Sequence, residues 1–274
     1  MAGRDYTKQE CVIFTVLVGI MLLAVIFAEH IVPYDPYAQD LKNALQPPGG
    51  AHIFGTDRYG RDMLSRVIMG GQTTIFSSLF LVLIVMTVGT IIGIICGYKG
   101  GKLDTFLMRI SDIFLAFPGM VFAIAVAGVT GGGVINAVVA LACISWPKFA
   151  RIARSQVMTV KETPFISAAR LSGSGTWKII RKHMLPNIAG PILITGVLDI
   201  GTMIMEIAGL SFLGLGAVPP VAEWGSMMSN GRSMLQTSPW VILAPGFAIF
   251  VTVMLFNLLG DSIRDIMDPR RNKR

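Results

Sequence analysis

The sequence predicts an all-α, polytopic membrane protein with six transmembrane helices and both termini in the cytoplasm. Three observations predict it. Apolar runs close to the roughly 20 residues that cross a bilayer as a helix recur along the 274-residue chain. Only 14% of residues are charged and 53% are hydrophobic, with a mean hydropathy of +0.65; ordinary globular domains carry about 25% charge. Lys and Arg also fall overwhelmingly on one side of the runs.

The first run, Cys11 to about Ala28, is longer than a usual signal-peptide core and precedes no convincing cleavage site, so it reads as a retained helix. Glu29 to about Thr73 is polar and turn-rich, with Pro33, Pro36, Pro47-Pro48 and Gly49-Gly50. Thr74 to Cys96 is the second span, and Gly97 to Lys102 a tight loop. The third begins near Ile110 and runs to about Val129, kinked at Pro118, where proline removes a helical hydrogen bond. Gly131-Gly132-Gly133 turns the chain. Val134 to about Trp146 starts a fourth span that extends toward Arg151; Ile188 to Leu213 and Trp240 to Leu259 are the fifth and sixth. The chain thus divides into residues 1–73, a helix and an extracytoplasmic segment, and residues 74–274, a membrane core.

With the amino terminus inside, 18 of the 23 Lys and Arg lie on inner segments, from Arg4 and Lys8 to Arg270, Arg271, Lys273 and Arg274. Only five, Lys42, Arg58, Arg61, Arg66 and Arg232, lie outside. The net charge of +7 therefore reports orientation in a membrane, and no separate basic domain exists to bind nucleic acid. Cys11, Cys96 and Cys143 are odd in number and sit in or beside apolar runs, so no disulfide framework is implied. Gly97 to Lys102 is one residue short of a phosphate loop, and Leu103 stands where a Ser or Thr would hold magnesium. No ATP site, catalytic constellation, cofactor site or metal site is expected in this chain, and ATP-driven work requires separate subunits.

One polar, basic island interrupts the apolar core: Pro164 to Pro186, PFISAARLSGSGTWKIIRKHMLP, within a hairpin at about 162–186. Thr163 is placed to cap a helix and Pro164 suits its first turn. Gly173 ends it in a left-handed turn. Ser174 or Thr176 caps a second short helix with Trp177, Ile180 and Met184 along one side, which Leu185-Pro186 closes. Two short helices around a glycine make a knob suited to a groove on another protein, or an amphipathic hairpin lying on the membrane surface.

This stretch resembles the cytoplasmic coupling loop of ABC importer permeases, whose signature is a glutamate, two alanines, three residues, a glycine, then nine residues before a hydrophobic-x-Leu-Pro ending. Ala168, Ala169, Gly173, Leu185 and Pro186 match it; Ser167 replaces the glutamate and His183 the aliphatic residue. Gly55-Thr56-Asp57-Arg58-Tyr59-Gly60-Arg61-Asp62 resembles the GTD-x-x-GRD signature of the peptide and nickel branch, where it marks the second of two paired permeases. Leu210 to Gly216 and Glu223-Trp224-Gly225 are similar to that branch's SFLGLG and EWG patterns, while Leu198 to Gly201 and Ala169 to Gly173 lean toward nickel members. The resemblance implies a type I importer permease with the last five helices as its core and residues 167–169, 173, 185 and 186 coupled to an ATPase. It also implies a homologous permease partner, two cytoplasmic ATPases that carry ATP and Mg, an extracytoplasmic binding protein, and import of chelated nickel or of di- or oligopeptides across the cytoplasmic membrane.

Local readings stand beside it. Asp57 and Arg61 are expected to pair across one helical turn before a short amphipathic helix bearing Met63, Leu64, Val67 and Ile68. His52 beside those aspartates invites a metal reading, but nothing fixes its geometry. Asp112, near Arg109, reads as a local ion pair, and Trp224 as an interface residue. Asp199 and Glu206 are carboxylates inside a span, seven apart on one face with Met203 between them. They line the translocation path or make structural bonds at the permease partner. A rival reading uses them for ion coupling in an ATP-independent carrier or channel.

Overall fold

The computed structural model describes residues 2–267, with side chains from residue 8 onward. The side chain of Arg4, together with Asp268, Pro269 and the four tail cations, lies outside the described residues. The helices are α1 (Ala2–Ile26), α2 (Ala28–Ile31), α3 (Met63–Lys99), α4 (Gly101–Ala116), α5 (Gly119–Val129), α6 (Val134–Lys161), α7 (Pro164–Leu171), α8 (Thr176–Ile179), α9 (Leu185–Phe212), α10 (Trp224–Gly231) and α11 (Trp240–Met267).

Among the described residues five helical stretches are long and apolar enough to cross a membrane, and the bent pair α4 and α5, which meet at 88°, makes six when the two are taken as one broken span. The expected kink at Pro118 is thus a full break: Phe117 and Pro118 both adopt extended backbone between the two helices. This follows from proline, which cannot donate to the preceding turn and disfavours helical backbone in the residue before it. Other boundaries move outward. The short helix expected at Met63 is the first turn of the 37-residue α3, so residue 73 falls mid-helix. The loop expected from Gly97 shrinks to Gly100, which like Gly101 at the start of α4 has positive φ. α6 continues through Pro147 to Lys161. α9 begins at Leu185 and is continuous, through a π-helical stretch Ile180–Met184, with α8.

The core is a seam between α3 and α6. Gly89, Gly93 and Gly97 repeat every four residues, so they form one stripe on α3. A Cβ on Gly89 would lie 2.5 Å from the Trp146 carbonyl oxygen, one on Gly93 2.3 Å from that of Ala150, and one on Gly97 2.9 Å from that of Arg154. The two backbones touch directly, as small residues permit where lipid supplies no hydrophobic drive between helices. Ala150, Ala153 and Val157 close the seam without exposure. α9 and α11 pack similarly: a Cβ on Gly260 would come within 2.5 Å of Leu198. α1 is peripheral, with Val18 and Val25 its buried apolar anchors.

Gly93→Val should destabilise the purified protein by about 3 kcal/mol or more, because backbone rather than a side-chain tip blocks the added atoms. Gly128→Ala, where an added Cβ meets nothing within 4 Å, should raise or leave unchanged the thermal midpoint in detergent. Equal midpoints for the two variants would contradict the seam.

Candidate functional site

The inner hairpin starts at Thr163, where Pro164 occupies the first turn of α7. The Thr163 hydroxyl does not cap α7 as expected; it donates backward to the Val160 carbonyl at 2.5 Å, closing α6. Gly173 has φ +77° and turns the chain, as its position after Leu171 requires. The second half departs from expectation. Gly175, not Ser174 or Thr176, precedes α8, and Leu185-Pro186 does not close the hairpin. Pro186 tolerates the middle of a long helix because it enters in the first turn after a π-helical stretch, where regular backbone bonding is already interrupted.

The hairpin's root is apolar and its tip is exposed. Ile166, Ile179 and Met184 are at most 1% accessible, whereas Leu171 is 90% and Trp177 73% exposed. Ser167, Ala168 and Gly173 are on the outside, Ala169 is buried, and Leu185 and Pro186 are exposed at the foot of α9. Arg170, Lys178, Arg181 and Lys182 are also exposed. Tyr98, at the end of α3, meets this knob: its carbonyl accepts from Lys161 Nζ at 2.7 Å. Its hydroxyl pairs with Thr176 Oγ1 at 3.3 Å, and its ring lies 5.8 Å from the Arg170 guanidinium.

α6 carries a ladder of cations across its inner half. Arg154 makes two 2.6 Å bonds to Asp104 of α4; Arg151 pairs with Asp112 of α4, and Lys148 with Asp199 of α9. The expected local pair of Asp112 with Arg109 is therefore replaced by one between helices. An uncompensated carboxylate in a span costs several kcal/mol, so each finds a cation on a neighbour. Asp199 is 2% exposed and its Oδ2 has no hydrogen-bond partner among the described residues, while the Lys148 side chain is 48% exposed. Met203, one turn after Asp199, is buried, and Glu206, two turns after Asp199, is half-buried.

The outer side is held by a second polar knot. Asp57 Oδ1 accepts from the Tyr59 and Arg61 amides at 2.8 and 3.0 Å, and Oδ2 from Arg61 Nε at 2.7 Å. The predicted Asp57–Arg61 pair exists, but in a buried turn rather than on an exposed helix. His52 Nδ1 lies 2.9 Å from Asp62, whose other oxygen caps α3 through Ser65. Among the described residues no group of three or more His, Cys, Asp or Glu side chains converges on a metal position. Gly60 has φ +72°, and a Cβ there would sit 1.7 Å from the Asp40 carbonyl oxygen.

Trp224 is not at the interface. It is 3% exposed, its indole donates to the Val67 carbonyl at 2.8 Å, and it fills the space beside Gly70 and Gly71. Glu223 caps α10 by accepting from Gly225 and Ser226 amides at 3.0 and 2.7 Å. Burial pushes its carboxyl above the usual range, and those amide bonds partly offset the rise. Gly216, closing the turn after α9, accepts from Gly133 at 3.0 Å, which joins two loops on this side.

Comparison with known proteins decides the family. The model described as "Binding-protein-dependent transport system inner membrane component" matches residues 89–273, and "N-terminal TM domain of oligopeptide transport permease C" matches residues 11–48. The chain belongs to the binding-protein-dependent transport system inner membrane component family. Among relatives, the probable D,D-dipeptide transport system permease protein DdpC of Escherichia coli K12 is 41% identical over 93% of this chain and 86% of its own. The glutathione transport system permease protein GsiD of Pectobacterium atrosepticum is 40% identical over 97% and 89%. The nickel transport system permease protein NikC of E. coli K12 is 37% identical over 93% and 92%. The MetNI methionine ABC transporter, in an inward-facing crystal form, matches with a TM-score of 0.60 and 19% identity over 75% of this chain and 98% of the matched one. That match shows the type I importer permease fold. The binding-protein-dependent permease described here is a multi-pass protein of the cytoplasmic membrane and a transport subunit rather than an enzyme, and an ATP-independent carrier finds no support.

Lys148→Met should leave Asp199 buried and uncompensated. The loss of stability should fall between the ~1 kcal/mol of an exposed pair and the ~3–5 of a buried one. Adding Asp199→Asn should recover part of it in the same thermal melt; no recovery would contradict the pairing.

Proposed function

We propose that this permease passes short peptides or a nickel chelate across the cytoplasmic membrane, paired with a homologous permease. Two cytoplasmic ATPases that bind ATP and Mg drive it, and an extracytoplasmic binding protein delivers the substrate. The observation that carries the reading is the inner hairpin: an apolar root inside the bundle and an exposed, basic and aromatic tip. Such a knob takes up motion from a groove on another protein, and a lone ATP-independent carrier has no use for it. The names of the relatives, which span dipeptide, glutathione and nickel transport, supply the substrate classes.

In this reading Ser167, Ala168 and Gly173 meet an ATPase, Ala169 packs beneath them, and Leu185 and Pro186 couple the hairpin to the foot of α9. Ser167 offers no carboxylate, so the basic residues of the tip supply the charge there. Glu206, half-buried in a span and without a hydrogen bond among the described residues, faces the translocation path; Met203 packs behind it, and Asp199 with Lys148 fixes α9 against α6. ATP favours one of two arrangements of the spans, so hydrolysis shifts their populations.

Affinity purification through this chain should bring down a second permease and ATPase subunits, and their absence from a folded preparation would refute the reading. Titration of the cognate binding protein with a dipeptide and with nickel–histidine then separates the two substrates. Gly173→Glu, at a left-handed exposed turn, should lower uptake per ATP hydrolysed by about tenfold or more, within the usual range of coupling energies. Unchanged uptake and ATPase rates in proteoliposomes would count against the hairpin's role.

A further inference from the structure

The hairpin is not attached equally to the helices it joins. On one side, above its buried apolar root, it is tied to α3 and α6 by polar contacts that converge on Tyr98. The Tyr98 carbonyl accepts from Lys161 at the last turn of α6, its hydroxyl meets Thr176 at the first turn of α8, and its ring lies 5.7 and 5.8 Å from the Lys161 and Arg170 cations. The preceding residue, Gly97, sits against the α6 backbone. On the other side the hairpin continues into α9 through the π-helical stretch Ile180–Met184. Such stretches interrupt the regular bonding of a helix and are frequent at functional sites.

We propose that Tyr98 is the positioning residue that clamps the hairpin to the α3–α6 pair, so that all three move as one body, and that Ile180–Met184 is the joint about which α9 moves relative to them. The proposal rests on the hairpin receiving the ATPase stroke. The stroke then enters the bundle through the glycine seam, where two backbones in contact leave no compliant side chains between them. α9, which carries Asp199 and Glu206, changes its position against α6 as a consequence.

The test uses the complete transporter purified through this chain, with Cys11, Cys96 and Cys143 replaced by alanine and spin labels on introduced cysteines. Leu171 at the hairpin tip, Ile95 on α3 and Leu193 on α9 are 90%, 38% and 54% exposed and accept labels. Distances are measured without nucleotide and with ATP–Mg trapped by vanadate. The clamp requires that the 171–95 distance is the same in both states while the 171–193 distance shifts. Tyr98→Ala, which keeps the main-chain bond to Lys161 but removes the ring, should make the 171–95 distance state-dependent, and Tyr98→Phe, which keeps the ring beside Lys161 and Arg170 and loses only the 3.3 Å hydroxyl contact, should behave nearly as wild type. If 171–95 shifts in the wild type as much as 171–193, the clamp is wrong although the importer reading stands. If Tyr98→Ala and Tyr98→Phe both match the wild type, Tyr98 has no positioning role. If no ATPase is retained, or trapped nucleotide moves neither distance, the importer reading itself falls, and the clamp with it.

Discussion

The structure depends on backbone contact between α3 and α6. In lipid, burying an apolar side chain against another helix gains little over burying it against an acyl chain, so close packing must supply the attraction. Gly89, Gly93 and Gly97 achieve it by removing everything between two helical backbones. The position of every other element follows from this pair. α9 packs on both of its members, α10 is held on α3 through Trp224, and the hairpin grows from the end of α6.

That seam also sets where charge is tolerable. With α3 against one side of α6, the cations Lys148, Arg151 and Arg154 are directed toward α4 and α9, whose carboxylates neutralise them. An exposed pair in water is worth little. Within a bilayer the comparison is with an unpaired charge in hydrocarbon, so pairing decides whether the helices insert in this arrangement at all. Asp199 is the exception that informs: one oxygen is paired and the other is buried and unmatched. A carboxylate left half-satisfied is compatible with the proposed movement of α9 against α6.

Much of this was legible in the sequence, for identifiable reasons. Apolar run length and Lys and Arg placement fixed the spans and their direction, since the bilayer imposes both on any chain. Gly173 was legible because only a left-handed turn explains a glycine between two short helices. What stayed hidden is tertiary. Trp224 alone resembles an interface anchor; only the glycines at 70 and 71 on α3 reveal that it is swallowed by the protein. Asp112 has Arg109 nearby in sequence, yet Arg151 on α6 takes it. The recurrence of cations at 148, 151 and 154 was the available signal, because three charges on one face of a membrane helix demand partners elsewhere. Tyr98 gave no signal, as a lone tyrosine at a helix end is common. The severity of the Pro118 break was equally unreadable, since proline states where a helix fails but not by what angle.

The outer knot carries a consequence for the order in which this protein is made. Trp240 donates from its indole to the Thr56 carbonyl at 3.1 Å, and Arg58 reaches Asn230 at 3.3 Å. A ribosome finishes residue 56 long before it begins residue 240. The first extracytoplasmic turn therefore waits, with part of its polar wiring open to water, until the last helix threads through the translocon. A chain truncated before that helix lacks the donor for the Thr56 carbonyl, so its first outer turn stays incomplete.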